Sequence, residues 1–237
     1  MRPIPDLSVY LVADRSICRG RDLIKVVTAA VAGGVTMVQL RDKHANTQEF
    51  LALARQLKSV LAGTGIPLIV NDRVDIALAA GINGLHIGQT DLPYLEARRL
   101  LGIDAIIGLS LDHLEDANVA ANWDVDYLSA GPIFATITKS DAGPPLGLAG
   151  LASFRAATHH RLVAIGAITA ASACIQAGAN GVAVASAICA APDPAAAARV
   201  LREATCLPTR PKPTQSEFLW SKKGQRYSTA SHIDNKT

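Results

Sequence analysis

Short apolar runs alternate along the chain with longer segments in which apolar residues recur at helical spacing. The apolar runs predict eight strands, at residues 9–14, 35–41, 67–72, 84–89, 105–110, 127–134, 162–167 and 181–186. The segments that follow them predict eight helices, at residues 22–32, 47–61, 73–80, 93–101, 111–122, 148–158, 170–177 and 194–205. One strand–helix unit is therefore repeated along the chain.

The strands are nearly continuous apolar runs, which is typical of parallel strands covered by helices. Eight strand–helix units favour an α/β fold, the single-domain (β/α)8 TIM barrel, over residues 1–206. A doubly wound open sheet is the alternative, although it usually has fewer strands. Residues 207–237 are polar and lack a sustained period, so we expect them to form a disordered C-terminal tail.

Composition narrows the classes of partner and compartment. Of the 237 residues, 49% are hydrophobic and 18% charged, and the net charge is +3. A charge so near balance gives no reason to expect nucleic acid or an anionic membrane as a partner. The four cysteines form no CxxC pair, which favours reduced thiols and a cytoplasmic location. Residues 162–192 lack Asp, Glu, Lys and Arg, but their strand-length apolar runs favour buried strands and a helix over a membrane span.

Polar residues follow nearly every predicted strand. In a (β/α)8 barrel the carboxyl ends of all strands meet at one mouth, where such enzymes place their active site. Asp72 and Asp91 end neighbouring strands, and two carboxylates on adjacent loops can hold Mg²⁺. Arg41, Lys43 and Lys139 bring positive charge to the same end. This mixture suits a diphosphate leaving group, and the pattern shows no evident nucleophile paired with a base.

The last two strands end differently, in small residues. Gly166 closes the seventh strand, and Ala185 and Ser186 close the eighth. Barrels often bind a phosphate with the loops after these strands, where backbone N–H groups and a helix N-terminus face the anion. Together with the diphosphate ligands, this pattern indicates two different phosphorylated ligands in one pocket.

Six segments carry a resemblance that covers about residues 9–201. They are QLRDK (39–43), LIVNDRVDIALAAGINGLHIGQTDLP (68–93), GLS (108–110), GPIFATITK (131–139), PLGL (145–148) and AIGAIT (164–169). In combination they resemble the thiamine-phosphate synthase family. The resemblance implies a (β/α)8 transferase that joins 4-amino-2-methyl-5-(diphosphooxymethyl)pyrimidine, hereafter the pyrimidine diphosphate, to a thiazole phosphate. Diphosphate would leave first, and the thiazole nitrogen would then attack the pyrimidine-methyl cation.

The same resemblance implies a set of site residues and a cofactor. The pyrimidine diphosphate would be bound by Gln39, Leu40, Arg41, Asp42, Lys43, Asn71, Ser110 and Lys139. The thiazole phosphate would be bound by Thr136, Ile137, Thr138, Gly166, Ala185 and Ser186. Mg²⁺ would be held by Asp72 and Asp91, and the candidate catalytic residues are Arg41, Ser110 and Lys139. The expected partners are the two small-molecule substrates, and a homo-oligomer stays open.

Two positions depart from the family pattern. Ala135 stands where the family commonly has proline, and Gly166 and Ala167 stand where it commonly has two glycines. The added methyl group of Ala167 would either narrow the phosphate site or move the backbone away from positive φ. We still expect activity.

Two alternative functions stay open on the same barrel. One is a thiazole tautomerase relative, which would need an acid or base near the thiazole, and the other is a non-catalytic phosphate-binding barrel. The GPIF loop has no histidine, whereas QLRDK, both aspartates and Lys139 are present, and this favours the synthase. We interpret His86 as a hydrogen-bonded core histidine and Tyr127 as a packing residue.

Overall fold

A computed structural model describes residues 4–136 and 143–206 and shows a closed parallel barrel. Its strands are β1 (Val9–Asp14), β2 (Met37–Arg41), β3 (Leu68–Asn71), β4 (Gly84–Ile87), β5 (Ile106–Leu111), β6 (Tyr127–Ala130), β7 (Leu162–Ile165) and β8 (Gly181–Val184). Each strand pairs with the next, and β8 pairs with β1, where Val9 lies beside Val182. The (β/α)8 prediction is confirmed, and the open-sheet alternative is wrong because the sheet has no free edge.

Helices cover the outside of the barrel. They are α1 (Leu23–Ala32), α2 (Thr47–Leu61), α3 (Val74–Ala80), α4 (Tyr94–Leu101), α5 (Leu114–Val119), α6 (Gly147–Ala157), α7 (Ala171–Gln176), α8 (Ser186–Cys189) and α9 (Pro194–Thr205). The side chain of Asn46 caps α2 by accepting from the backbone N–H of Glu49, and Phe50 and Leu57 lie on its buried face. These helices bury the outer faces of the strands in one continuous apolar core.

Several elements are shorter than the apolar pattern predicts. The sixth strand, expected over 127–134, ends at Ala130 because the chain then turns onto the end of β7. There the N–H of Ile133 donates to the carbonyl of Ile165 at 2.8 Å, and that of Phe134 to Gly166 at 3.1 Å. The expected helix 111–122 shrinks to α5, since its first residue belongs to β5 and its last three form a 3₁₀ turn. The short helix α8 was not predicted as a separate element.

A second, smaller core fills the inside of the barrel. It contains Leu7, Tyr10, Val12, Met37, Ile69, Ile106, Tyr127, Val163 and Ala183. A Cβ atom on Gly108 would lie only 2.0 Å from a ring carbon of Tyr127, so the glycine makes room for that ring. Within the described residues, no helix is long and apolar enough to cross a membrane. The predicted tail at 207–237 lies outside the described residues.

Candidate active site at the barrel mouth

The mouth, meaning the carboxyl ends of β1–β8 and the loops after them, gathers residues that are far apart in sequence. Strand register sets their neighbours: Asp14 lies beside Arg41, Asn71 beside His86, and Ser110 beside Ser129. Because parallel strands end on the same side of a barrel, the polar residues that follow them share this opening. The structure therefore brings together most of the residues that the sequence analysis singled out.

Asp72 and Asp91, hereafter the carboxylate pair, face each other across the loops after β3 and β4. The Asp91 side chain is near enough to affect the ionisation of Asp72. Burial, followed by the hydrogen bond and the charge of Asp91, raises the pKa of Asp72 to about 6, while Lys43 and Arg41 act to lower it. Asp91 is oriented by the backbone N–H of Gly88, which donates to its Oδ2 at 2.7 Å. Two carboxylates that share a site in this way are suited to a cation.

The backbone of Asp72 is held in an unusual conformation. Its φ is 62°, in the left-handed region that aspartate and asparagine tolerate better than most residues. Its N–H donates to the carbonyl of His86 at 2.8 Å, which fixes the loop against β4. The turn thus aims the Asp72 side chain at the next strand along the barrel, where Asp91 follows.

Two cations lie near the carboxylate pair. Arg41 ends β2 and donates from Nη1 to Oδ2 of the buried Asp14. The second oxygen of Asp14 accepts from the backbone and the hydroxyl of Ser16, at 2.9 and 2.6 Å. Lys43 is exposed on the loop after β2. Among the described residues, the carboxylate pair therefore has near it the fixed guanidinium of Arg41 and the exposed ammonium group of Lys43.

Two predicted ligands have side chains that are engaged elsewhere. The Leu40 side chain is fully buried in the core between strands and helices, which leaves its backbone as the part available to a mouth ligand. Asp42 Oδ1 accepts from the backbone N–H groups of His44 and Ala45 at 3.1 and 3.0 Å, and its Oδ2 lies 2.8 Å from Nε of Arg15. Asp42 thus shapes the loop that carries Lys43.

The ends of β7 and β8 place small residues at the opposite side of the mouth. Gly166 has a φ of 104°, and a Cβ atom there would lie 2.6 Å from Cα of Pro132, so only glycine fits. Ala167 keeps positive φ, at 43°, so the expected alternative in which its methyl group displaces the backbone is wrong. Ala185 precedes α8, and Ser186 begins it and is exposed.

The loop after β6 is described only in part. Thr136 is half-buried at its described end. The other predicted ligands on this loop, Ile137, Thr138 and Lys139, lie outside the described residues. In the described parts of the chain, no group of three or more His, Cys, Asp or Glu side chains could hold a metal ion. The candidate cation site is the carboxylate pair, which would share an ion with substrate oxygens and water.

A row of polar side chains, hereafter the interior chain, crosses the inside of the barrel to the mouth. In order it consists of Gln39, Tyr10, Tyr127, His86, Ser110 and Ser129. Consecutive polar atoms are 2.6, 2.7, 3.0, 3.0 and 3.4 Å apart. The sequence analysis did not single out Tyr10 and gave Tyr127 only a packing role. The available signal was a tyrosine, with its polar hydroxyl group, within an otherwise apolar strand. His86 is a hydrogen-bonded core residue, as expected, but its Nε2 approaches Ser110 Oγ, a histidine–serine contact that was not expected.

A closed (β/α)8 barrel with carboxylates and cations at the carboxyl ends of its strands is the arrangement found in barrel enzymes. The family profile for thiamine monophosphate synthase matches residues 9–188. The chain is 54% identical over 199 residues to the thiamine-phosphate synthase of Albidiferax ferrireducens, covering 83% of this chain and 91% of the relative. It is 51% identical over 199 residues to the thiamine-phosphate synthase of Azorhizobium caulinodans, covering 83% of this chain and 94% of the relative.

A solved structure agrees with these relatives. Thiamine phosphate pyrophosphorylase from Pyrococcus furiosus superposes with a TM-score of 0.76 at 32% identity, covering 85% of this chain and 96% of that one. The chain belongs to the thiamine monophosphate synthase family, whose members are transferases.

Proposed function

We propose that the chain joins the pyrimidine diphosphate to a thiazole phosphate and releases diphosphate and thiamine phosphate. The observation that supports this proposal most is the position of the carboxylate pair beside two cations. Arg41 and Lys43 lie close enough to lower the pKa of Asp72. A diphosphate bound there would meet cations directly, and the carboxylates would meet it through a metal ion. The family assignment gives the chemistry that such a site serves.

The carboxylate pair fits Mg²⁺ as a cofactor. Mg²⁺ prefers oxygen ligands, and in phosphate-binding enzymes it takes one or two carboxylates together with substrate phosphates and water. Burial and then the neighbouring Asp91 raise the pKa of Asp72, and a bound divalent cation would favour the ionised carboxylate instead. Asp72 and Asp91 would hold the ion, and it would supply neutralisation of the charge that develops on the departing diphosphate.

The chain's own residues bind and orient the pyrimidine diphosphate. Arg41, fixed by Asp14, would donate hydrogen bonds to phosphate oxygens, and Lys43 and Lys139 would add positive charge. The amide of Asn71 and the hydroxyl of Ser110 would face the pyrimidine part, together with the amide oxygen of Gln39, whose amide nitrogen donates to Tyr10. If diphosphate leaves before the two substrates are joined, the enzyme must stabilise the negative charge of the leaving group. No nucleophile from the enzyme is needed.

The small-residue ends of β7 and β8 form the second part of the proposed site. Gly166 and the start of α8 at Ser186 would offer backbone N–H groups to the phosphate of the thiazole. The resemblance of the sequence to the family implies the same ligand for Thr136, Ile137, Thr138 and Ala185. We place the reaction in the cytoplasm, on the cysteine usage of the sequence, with small molecules as partners.

The test mixes the chain with both substrates and Mg²⁺ and quantifies diphosphate and thiamine phosphate. We expect the two products in equal amounts, and a matched sample with a chelator in place of Mg²⁺ should form far less of both. Conversion of an isomeric thiazole phosphate without diphosphate release would support the tautomerase instead. Binding of both ligands without any product would support the non-catalytic barrel.

A further inference from the structure

The hydrogen bonds of the interior chain follow one another from donor to acceptor, beginning at Gln39. The amide nitrogen of Gln39 can only donate, so Oη of Tyr10 accepts from it at 2.6 Å. The hydroxyl hydrogen of Tyr10 is then available for the hydroxyl oxygen of Tyr127, 2.7 Å away. A buried hydroxyl hydrogen without an acceptor is costly, so the favoured arrangement is the one in which each tyrosine donates once. The hydroxyl hydrogen of Tyr127 then goes to Nδ1 of His86, 3.0 Å away.

This direction determines where His86 carries its proton. A neutral imidazole has one N–H, and the hydrogen bond made by one ring nitrogen fixes the role of the other. Because Nδ1 accepts from Tyr127, Nε2 is the protonated nitrogen. It therefore donates to Oγ of Ser110 at 3.0 Å. The hydroxyl hydrogen of Ser110 is left for Ser129, 3.4 Å away, or for a ligand in the mouth.

The tyrosines stay neutral and are fixed in place. Burial is the largest cause that raises the pKa of Tyr10 and of Tyr127 above the usual tyrosine range, so both remain phenols with one hydrogen to donate. The rings of Tyr10 and Tyr127 meet edge to face with centroids 5.6 Å apart, and the His86 ring stacks near that of Tyr127. Gly108 leaves the space that this arrangement needs.

We propose that Gln39, Tyr10, Tyr127 and His86 are positioning residues that make Ser110 a hydrogen-bond donor to the bound substrate. The identity of that substrate, the pyrimidine diphosphate, rests on the proposed function. The contact between His86 and Ser110 has the geometry of a base and a nucleophile. The hydrogen bond runs the opposite way, because Nε2 of His86 carries a hydrogen and donates it to the oxygen of Ser110. His86 therefore does not act as a base toward Ser110. Ser110 then offers its own hydrogen to a lone pair of the substrate.

The first experiment reads the His86 tautomer by nitrogen NMR on the ligand-free chain. We expect Nε2 to be protonated and Nδ1 to be unprotonated in the unmodified protein. Tyr127→Phe removes the donor to Nδ1 and should allow the other tautomer. Should that variant fail to fold, Tyr10→Phe breaks the interior chain one hydrogen bond earlier and should give a mixture of the two His86 tautomers. The control is Tyr94→Phe, which removes a buried hydroxyl outside the barrel interior and should leave His86 unchanged.

A protonated Nδ1 in the unmodified protein would overturn the proposal. So would a His86 tautomer that is the same in Tyr127→Phe as in the unmodified chain. A merely structural role for Tyr127 would change stability without moving the tautomer. This measurement needs no substrate, so it is independent of whether the proposed reaction occurs.

The second experiment is a double-mutant cycle between Tyr127→Phe and Ser110→Ala. Each single change should lower kcat/KM for the pyrimidine diphosphate by about tenfold, the effect of one hydrogen bond, with KM for the thiazole phosphate unchanged. With Ser110→Ala already present, Tyr127→Phe should cost about twofold or less, because the two act through one hydrogen bond. A full tenfold loss in both backgrounds would refute a role through Ser110. If the unmodified chain forms no product, the cycle is measured on affinity for the pyrimidine diphosphate.

Discussion

Replacing Asp72 with asparagine removes one charge from the carboxylate pair and keeps the shape of the side chain. Asparagine also tolerates the φ of 62° at this position, so the change tests charge and not backbone strain. A pKa of about 6 in place of 3.8 corresponds to about 3 kcal/mol against the ionised form. Solvent screening at this partly exposed group reduces that to about 1–2 kcal/mol. We expect Asp72→Asn to be more stable than the unmodified chain by that amount.

The gain should depend on pH in a defined direction. The folded-state pKa of Asp72 is raised, so the unfavourable contribution is absent below about pH 4 and complete above about pH 6. Urea unfolding in the presence of a chelator should show the gain at pH 7.5 and lose it near pH 4. Adding Mg²⁺ at pH 7.5 should stabilise the unmodified chain and leave the variant nearly unchanged, because ligands stabilise only the state that binds them.

The same variant should lose activity while gaining stability. Loss of one metal ligand removes several kcal/mol of charge stabilisation, so turnover with Mg²⁺ should fall on the order of a hundredfold. Asp104→Asn is the matched control, since Asp104 is exposed on the loop between α4 and β5 and should change neither quantity. A variant with turnover within about twofold of the unmodified chain, or with no gain in stability at pH 7.5, would refute this reasoning.

Three further predictions concern the carboxylate pair and two backbone positions. Mg²⁺ affinity measured by calorimetry should fall about tenfold between pH 7.5 and pH 5, because protonation at a pKa of about 6 competes with the metal, and a constant affinity would contradict this. Gly108→Ala should destabilise the fold by about 1–3 kcal/mol in urea unfolding, since its Cβ meets the ring of Tyr127 at 2.0 Å. Gly143→Ala, which meets nothing within 4 Å, is its control, and equal stability of the two variants would be evidence against the clash. Ala167→Gly should raise the melting temperature slightly, by relief of about 0.5 kcal/mol of strain at φ 43°, and a lowered value would contradict that.

The apolar pattern predicted the strands well and their ends less well. The run over 127–134 continues past β6 because Ile133 is buried too, although it lies in a loop that packs against the end of β7. Burial alone therefore does not separate a strand from a buried loop. Gly131 and Pro132 were the local signal of the break, because proline cannot continue a ladder of hydrogen bonds.

The grouping of the candidate site residues was predictable where it follows from a rule that holds for every strand of a barrel. Asp72, Asp91 and Arg41 meet because parallel strands end at the same opening, and that follows from the repeat. The direction of Leu40 also follows from the alternation of a strand, since it lies between Gln39 and Arg41 and points away from the mouth.

The interior chain was not predictable from local patterns. Tyr10 and Tyr127 meet across the barrel although 117 residues separate them. No periodicity along the sequence encodes that contact, because it depends on how the closed barrel brings opposite strands together. Gly108 is a weak sign of it, visible only once the tyrosine ring that it accommodates is known.

The most direct test of the account is a crystal structure of the chain with Mg²⁺ and diphosphate. We predict a metal ion bound by Asp72 and Asp91 and by an oxygen of the diphosphate, with Arg41 donating to the same diphosphate. A diphosphate bound away from the mouth, or bound there with no metal contact to either carboxylate, would contradict the account.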